Sequence, residues 1–240
     1  MRTLFTALVV IISVQGVRSQ VLISILLGDK LNSGKIEFGL DGGVNYANIR
    51  GLKGANLEPN FNIGFYFDIK LKNPAWMFHT GVIVKSTLGA GELPVYSLNN
   101  IDLDNAFAEG EVERRINYFN VPIELKYQFK NLFFVEGGIM PALRAKAFDI
   151  FTADLIDKND LEYKLDIKDE FHRLDFGLVG GIGYRLMGGN GMNLNLRYYY
   201  GLIDITIDDS TPDQFNTSLY LTVGIPIGAG KAKEREAKKE

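Results

Sequence analysis

The sequence predicts an all-β protein: an eight-stranded antiparallel up-and-down transmembrane β-barrel with short periplasmic turns and long extracellular loops. Three observations predict it. Segments of about ten residues, the reach of a tilted strand across a bilayer, alternate in polarity. Their number is even and their connections alternate between short and long. Aromatic residues gather at both strand ends.

The clearest segment is Asn60 to Leu71. Phe61, Ile63, Phe65, Phe67, Ile69 and Leu71 occupy one parity, and Asn60, Asn62, Gly64, Tyr66, Asp68 and Lys70 the other. Successive side chains of a strand point to opposite faces, so this segment has one apolar and one polar face. Soluble strands usually stop at about five or six residues. The apolar face is read as facing lipid and the polar face as facing the lumen.

The chain opens with Arg2, an apolar run from Leu4 to Val14, and Val17-Arg18-Ser19 before Gln20, so residues 1–19 read as a secretory signal peptide. Residues 20–34 read as a periplasmic N-terminal segment. Within it, the apolar run Val21 to Leu27 is too short to span as a helix and suits local packing at the periplasmic mouth. The barrel domain is expected over 35–228.

The first strand is expected from Lys35 to Tyr46, with Glu37, Asp41 and Asn45 inward. The second is the segment above, closed by a Lys72-Asn73-Pro74 turn. The third runs from Ala75 to Ser86, with Trp76, Phe78, Val82 and Val84 outward and Lys85 inward. The fourth runs from Asn117 to Phe129, with Glu124 and Lys126 inward and an irregularity at Pro122, which has no N–H for the ladder. The fifth spans Leu132 to Arg144, with Glu136 and Arg144 inward. The sixth spans Arg173 to Leu186, with Arg173, Asp175 and Arg185 inward, and Gly188-Gly189-Asn190-Gly191 marks the next turn. The seventh covers Met192 to Ile203, with Arg197 inward, and the eighth Ser218 to Ile227. Trp76, Tyr127, Phe129, Phe133 and Tyr184 fall at the short-turn ends; Tyr46, Phe61, Phe119 and Tyr200 fall at the long-loop ends. These are two aromatic girdles.

Composition agrees. Mean hydropathy is +0.01, as expected where half of each strand is polar. The net charge of −3 gives no reason to expect a nucleic-acid partner, and the absence of Cys excludes disulfide and thiol chemistry. Eight strands enclose a space that side chains can fill. The inward acids (Glu37, Asp41, Asp68, Glu124, Glu136, Asp175) nearly balance the inward bases (Lys70, Lys85, Lys126, Arg144, Arg173, Arg185, Arg197). A salt-bridged plug is therefore expected, because an unpaired confined charge costs several kcal/mol, on the order of a desolvation penalty. A solute channel lined by those charges is the alternative.

Two loops, Thr87 to Ile116 and Ala145 to His172, are long and acidic. Asp157, Asp160, Glu162, Asp166, Asp169 and Glu170 crowd the second. The run from Asp157 departs from a calcium loop: the required Gly is Glu162 and the bidentate Glu is Lys168. A solvated anionic surface is expected. His79 falls on the lumenal parity, where a structural hydrogen bond is expected. His172 lies at the outer rim beside Asp169 and Glu170, which raises an outer-membrane hydrolase as an alternative, but no serine motif or metal-ligand cluster accompanies it. No catalytic, cofactor-binding or metal site is expected. The tail 229–240, with five bases and three acids, reads as a charged periplasmic tail.

The order of several stretches adds a resemblance. Gly34-Lys35-Ile36-Glu37-Phe38-Gly39-Leu40-Asp41-Gly42-Gly43, Tyr118 to Tyr127 around Val121-Pro122, Phe176 to Tyr184 with its Gly alternation, and Arg197-Tyr198-Tyr199-Tyr200-Gly201-Leu202 resemble the outer-membrane β-barrel family of Bacteroidetes that includes PorT-like proteins. The resemblance covers nearly the whole mature chain and implies no catalytic residues. Members end the last strand on an aromatic near the C-terminus; here the strand ends at Ile227 and a charged tail follows. Together these readings lead to the expectation of a monomeric, non-enzymatic outer-membrane protein in contact with lipid. Its partners would belong to envelope assembly or secretion, met through extracellular loops or periplasmic segments.

Overall fold

The computed structural model describes residues 31–153, 161–187, 191–208, 210 and 212–227. The signal peptide, Val21 to Leu27, Asp157, Asp160 and the charged tail lie outside the described residues.

Ten strands form one antiparallel sheet: β1 (Ile36–Arg50), β2 (Glu58–Lys70), β3 (Trp76–Leu93), β4 (Glu111–Asn120), β5 (Ile123–Gln128), β6 (Phe133–Ala153), β7 (Leu161–Asp166), β8 (Leu174–Arg185), β9 (Asn193–Gly201) and β10 (Phe215–Pro226). They make eight staves. β4 and β5 share one stave, both lying between β3 and β6, and among the described residues β7 pairs only with β6, above the ring. β1 pairs with β2 on one side and β10 on the other, which closes the barrel. The closure is tilted. A walk across paired residues leaves β1 at Ile36, passes Ile69, Phe78, Leu125, Gly137, Gly180, Tyr198 and Leu219, and re-enters β1 at Tyr46. Such a displacement is the stagger that a barrel requires.

Polarity sets the faces as expected. Leu125, Ile182, Leu221 and Tyr198 are exposed on the outer surface, while Asp68, His79, Glu124 and Arg197 are buried inside. At the short-turn end, ring contacts of 4.8–4.9 Å link Trp76 to Tyr127, Tyr127 to Phe129 and Phe133 to Tyr184, so the periplasmic girdle joins β3 to β5 and β6 to β8.

The irregularity expected at Pro122 is present: the fourth strand is broken at Val121-Pro122 into β4 and β5, and the Val121 amide donates to the Pro141 carbonyl at 2.9 Å. Other expectations change. Both long loops contain strand: β3 and β6 run on to Leu93 and Ala153, β4 begins at Glu111, and β7 covers Leu161–Asp166. Between β3 and β4 a short helix, α1 (Ile101–Ala106), is capped by the Asn100 side chain. Lys85 is exposed rather than lumenal, because a bulge between Ile83 and Ser86 places it opposite the outward Ile63. Lys70, the last residue of β2, and Arg173, next to the first residue of β8, are also exposed, and Arg144 is half-buried, donating to the carbonyls of Phe171 and His172.

Beyond the membrane, β3, β4, β6 and β7 continue as a sheet with its own apolar core. Leu88, Leu93, Val112, Ile116, Phe151 and Ala153 are buried there together with Phe107, Ile167, Phe171 and Ile205 from the connections. Leu161, Tyr163 and Leu165 of β7 pack against the same cluster. Gly89 lets β3 rise into this sheet: its φ is +142°, and a Cβ there would stand 1.8 Å from the Arg114 carbonyl oxygen.

The N-terminal segment is seen only from residue 31. Asn32 sits at the β1–β10 seam. Its amide oxygen accepts from the Phe38 N–H at 2.9 Å and its Nδ2 donates to the Ile227 carbonyl at 2.5 Å, adding a side-chain rung below the last backbone pair.

Candidate functional site

Two regions gather polar side chains: the periplasmic half of the lumen and the extracellular mouth. In the lumen, alternation alone brings inward residues of neighbouring strands to one level. Asp68 of β2 lies 2.6 Å from Nδ1 of His79 and 2.9 Å from the Lys126 ammonium. Arg197 of β9 reaches across the barrel: Nη1 donates to Asp41 at 3.0 Å, Nε pairs with Glu136 and lies 3.8 Å from Glu124, and Nη2 meets Nε2 of His79 at 3.0 Å. A guanidinium can only donate, so Nε2 accepts and the His79 proton sits on Nδ1, facing Asp68. Below this layer, Arg185 pairs with Glu37, and the Tyr66 hydroxyl donates to Glu37 at 3.2 Å. Lys126 also lies 3.9 Å above the Phe134 ring.

Amides and hydroxyls, with the Asp175 carboxyl among them, fill the next level. The Asn45 amide donates to the Thr87 carbonyl and the Ser218 hydroxyl at 2.9 and 3.2 Å. The Asn216 amide donates to Tyr118 and Asp175 at 3.1 and 2.9 Å, and Ser86 bonds Tyr220 at 3.1 Å. Above them lies the apolar cluster. The interior is thus filled in three layers: ionic, amide-hydroxyl and apolar. The expected ionic plug holds for Glu37, Asp41, Asp68, Glu124, Glu136, Lys126, Arg185 and Arg197. The apolar layer was not expected, although Leu88, Ala90, Val112 and Ile116 carried its signal.

At the mouth, Arg114 of β4 donates twice to the Asp149 carboxylate of β6, at 2.9 and 2.7 Å, and its guanidinium lies 5.2 Å from the centre of the Phe171 ring. The Tyr96 hydroxyl donates to the same carboxylate at 2.8 Å. Burial, and then the Asp149 charge, push the Tyr96 phenol above its ordinary range. An open cavity of about 460 Å³ borders Arg114, Asp169, Glu170, Phe171, Thr206, Ile207, Asp208 and Gln214. Partial burial, followed by repulsion from Asp149, raises Glu170 above the usual carboxylate range despite Arg114.

His172 lines a separate shallow cleft with Arg173, Leu174, Ile203 and Asp204. Among the described residues, no Ser, Thr or Lys lines it. Asp204 is already engaged. Its Oδ1 accepts from the Thr206 N–H at 3.1 Å, the Thr206 hydroxyl at 2.8 Å and the Gln214 N–H at 2.8 Å. Burial works against ionisation there, but these bonds outweigh it and hold Asp204 below the usual range. The pair organises the loop between β9 and β10. Of the acids read as crowding one loop, Glu162 and Asp166 belong to β7, while Asp169 and Glu170 belong to a single 3₁₀ turn. Among the described residues, no group of three His, Cys, Asp or Glu side chains is placed to hold a metal ion.

A closed, tilted barrel with a lipid-type outer face and two aromatic girdles has a counterpart among known families. The profile described as outer membrane protein beta-barrel domain matches residues 24–206. The chain belongs to this family. It is an outer-membrane protein, and its outer face lies in lipid. No curated protein matches the sequence. Among solved structures, the barrel is similar to Ail, the attachment invasion locus protein of Yersinia pestis, solved with the heparin analogue sucrose octasulfate. The two share 9% identity over 80% of this chain and 99% of that one, with a TM-score of 0.44. It is also similar to Neisserial surface protein A, with 10% identity over 78% of this chain and 96% of that one, and a TM-score of 0.42.

Proposed function

We propose that this outer-membrane barrel is a non-enzymatic interaction protein that meets its partners through the sheet standing outside the membrane. The observation that carries the reading is that sheet. Its strands continue from the barrel wall, share a buried apolar core, and end in β7, which pairs on one side only among the described residues. A rigid platform with an edge strand and the exposed side chains Glu162, Lys164 and Asp166 suits protein recognition, including the addition of a partner strand. The engaged carboxylate beside His172 favours this reading over a hydrolase, and the filled lumen favours it over a channel. The resemblance to PorT-like proteins of Bacteroidetes points to partners in secretion or envelope assembly. In the same reading, residues 1–19 are removed on export, residues 20–34 and the tail 229–240 face the periplasm, and the barrel is monomeric.

The test is site-specific photo-crosslinking in intact cells. Probes at Glu162, Lys164 and Asp166 should capture a defined protein, and probes on the lipid-facing Leu125 and Leu221 should not. Purified protein that cleaves a lipid or peptide, and loses that activity on His172→Ala, would replace this reading with an enzymatic one.

A further inference from the structure

Arg50, Lys85 and Lys146 share a feature that the barrel's own chemistry leaves unanswered. All three belong to the outer face, at or just above the extracellular aromatic girdle, and none has a carboxylate within ion-pair distance among the described residues. Local backbone geometry puts them there. The bulge between Ile83 and Ser86 turns Lys85 out beside Ile63. A second irregularity, between Asn117 and Tyr118, places Lys146 opposite Asn117, while Arg144 stands opposite the buried Tyr118. Arg50 closes β1 on the same parity as the outward Val44 and Tyr46.

Two of these cations rest on the girdle itself. The Arg50 guanidinium lies 4.1 Å from the Tyr200 ring centre and 4.7 Å from that of Phe215, and the Lys85 ammonium lies 5.8 Å from that of Phe61. Aromatic girdles sit at the level of lipid headgroups. Ring faces hold the cations at that depth but do not neutralise them, since a cation–π contact at an exposed site is worth only ~0.5–1 kcal/mol. At headgroup depth the anionic groups of the lipids themselves lie within reach of these three cations.

We propose that Arg50, Lys85 and Lys146 bind phosphate groups on lipid headgroups of the outer leaflet, each on a different part of the circumference. Guanidinium and ammonium groups are the usual protein ligands for phosphate. The three lie on β1, β3 and β6, so they would order an annulus of phosphorylated lipid around the barrel rather than a single bound molecule.

The test is lipid retention by the purified, folded chain in detergent micelles doped with equal amounts of lipid A and its dephosphorylated form, read by native mass spectrometry. The wild-type chain should retain the phosphorylated lipid preferentially, and excess inorganic phosphate should leave that preference standing. The variant R50Q/K85Q/K146Q should lose it by roughly fivefold per charge removed, the fold-change equivalent to about 1 kcal/mol per basic residue near a charged surface. The charge-keeping variant R50K/K85R/K146R should retain it, as should Lys53→Gln in the loop after β1. If the triple neutral variant fails to give the heat-modifiable folded band, the three single substitutions carry the same comparison. A wild-type chain that retains both lipids equally, a preference unchanged on neutralisation, or displacement by inorganic phosphate would each overturn the proposal.

Discussion

Arg197→Met should be the most damaging single substitution in the lumen. The Arg197 side chain is buried among three carboxylates, Asp41, Glu124 and Glu136, and also meets His79. Met keeps much of the volume but removes the only base within ion-pair distance of all three acids among the described residues. Removing one partner of a buried pair costs about 3–5 kcal/mol because the other charge stays buried. That is roughly two to four orders of magnitude in the folding equilibrium. Arg185 has one partner, Glu37, and the two side chains are 11% and 16% exposed, so Arg185→Met should cost less. Arg115 is 45% exposed and pairs with Glu113 outside the membrane, so Arg115→Met should cost at most about 1 kcal/mol. The assay is urea unfolding in lipid vesicles, read by the gel mobility of unboiled samples. Equal costs for the three substitutions would refute the argument from partner number and burial.

Three further outcomes follow from the same geometry. Leu125→Arg and Phe65→Arg, on the lipid-facing wall, should each destabilise by roughly 2–4 kcal/mol in that unfolding assay, while Asn105→Arg on exposed α1 should cost little. Wild-type protein in planar bilayers should show no stable conductance; large, steady currents would mean that the three interior layers do not seal. Asp204 has a folded-state pKa below its unfolded value, so its stabilisation of the β9–β10 connection is present above the ordinary carboxylate pKa of about 3.9 and lost as pH falls through the lower folded value. Proteolysis in that connection should therefore rise in acid, and Asp204→Ala should show the susceptible pattern already at neutral pH.

The sequence and the structure agree where one rule governs a whole stave. Strict alternation in Asn60 to Leu71 and in Asn193 to Gly201 fixed both faces, and with them the ionic partners of Asp68 and Arg197. Agreement fails where the period breaks. At Val84-Lys85 and at Ala145-Lys146 two consecutive residues are exposed, and beyond each break the inward parity has shifted by one. Read without the bulges, the residues past Ser86 and Arg144 look like unpatterned acidic loop. Read with them, Leu88, Ala90, Ala147, Phe151 and Ala153 form one inward apolar row. A bulge depends on what the partner strand presents, and that information is not local to the bulged segment. The candidate site suffered for the same reason, since its platform is built beyond both breaks.

The bulges also connect the parts of the molecule. Below them, the inner face is polar and the wall faces lipid, so charged side chains pair across the lumen. Above them, the inner face turns apolar while the outer face meets water, which allows β3, β4 and β6 to leave the ring and fold against β7 and the connections. At the transition itself a lysine is turned outward each time, at the depth where headgroups lie. One local change of register thus ends the lipid-facing wall, begins the extracellular platform, and leaves a cation at the boundary. Removing a bulge by deleting Val84 should test that coupling: the residues of β3 beyond it would change faces, and the buried Ser86 and Leu88 would turn outward. Loss of the heat-modifiable band, or a folded barrel whose extracellular sheet is newly open to protease, would support it. A deletion variant with a wild-type protease pattern would show that the platform forms independently of the register beneath it.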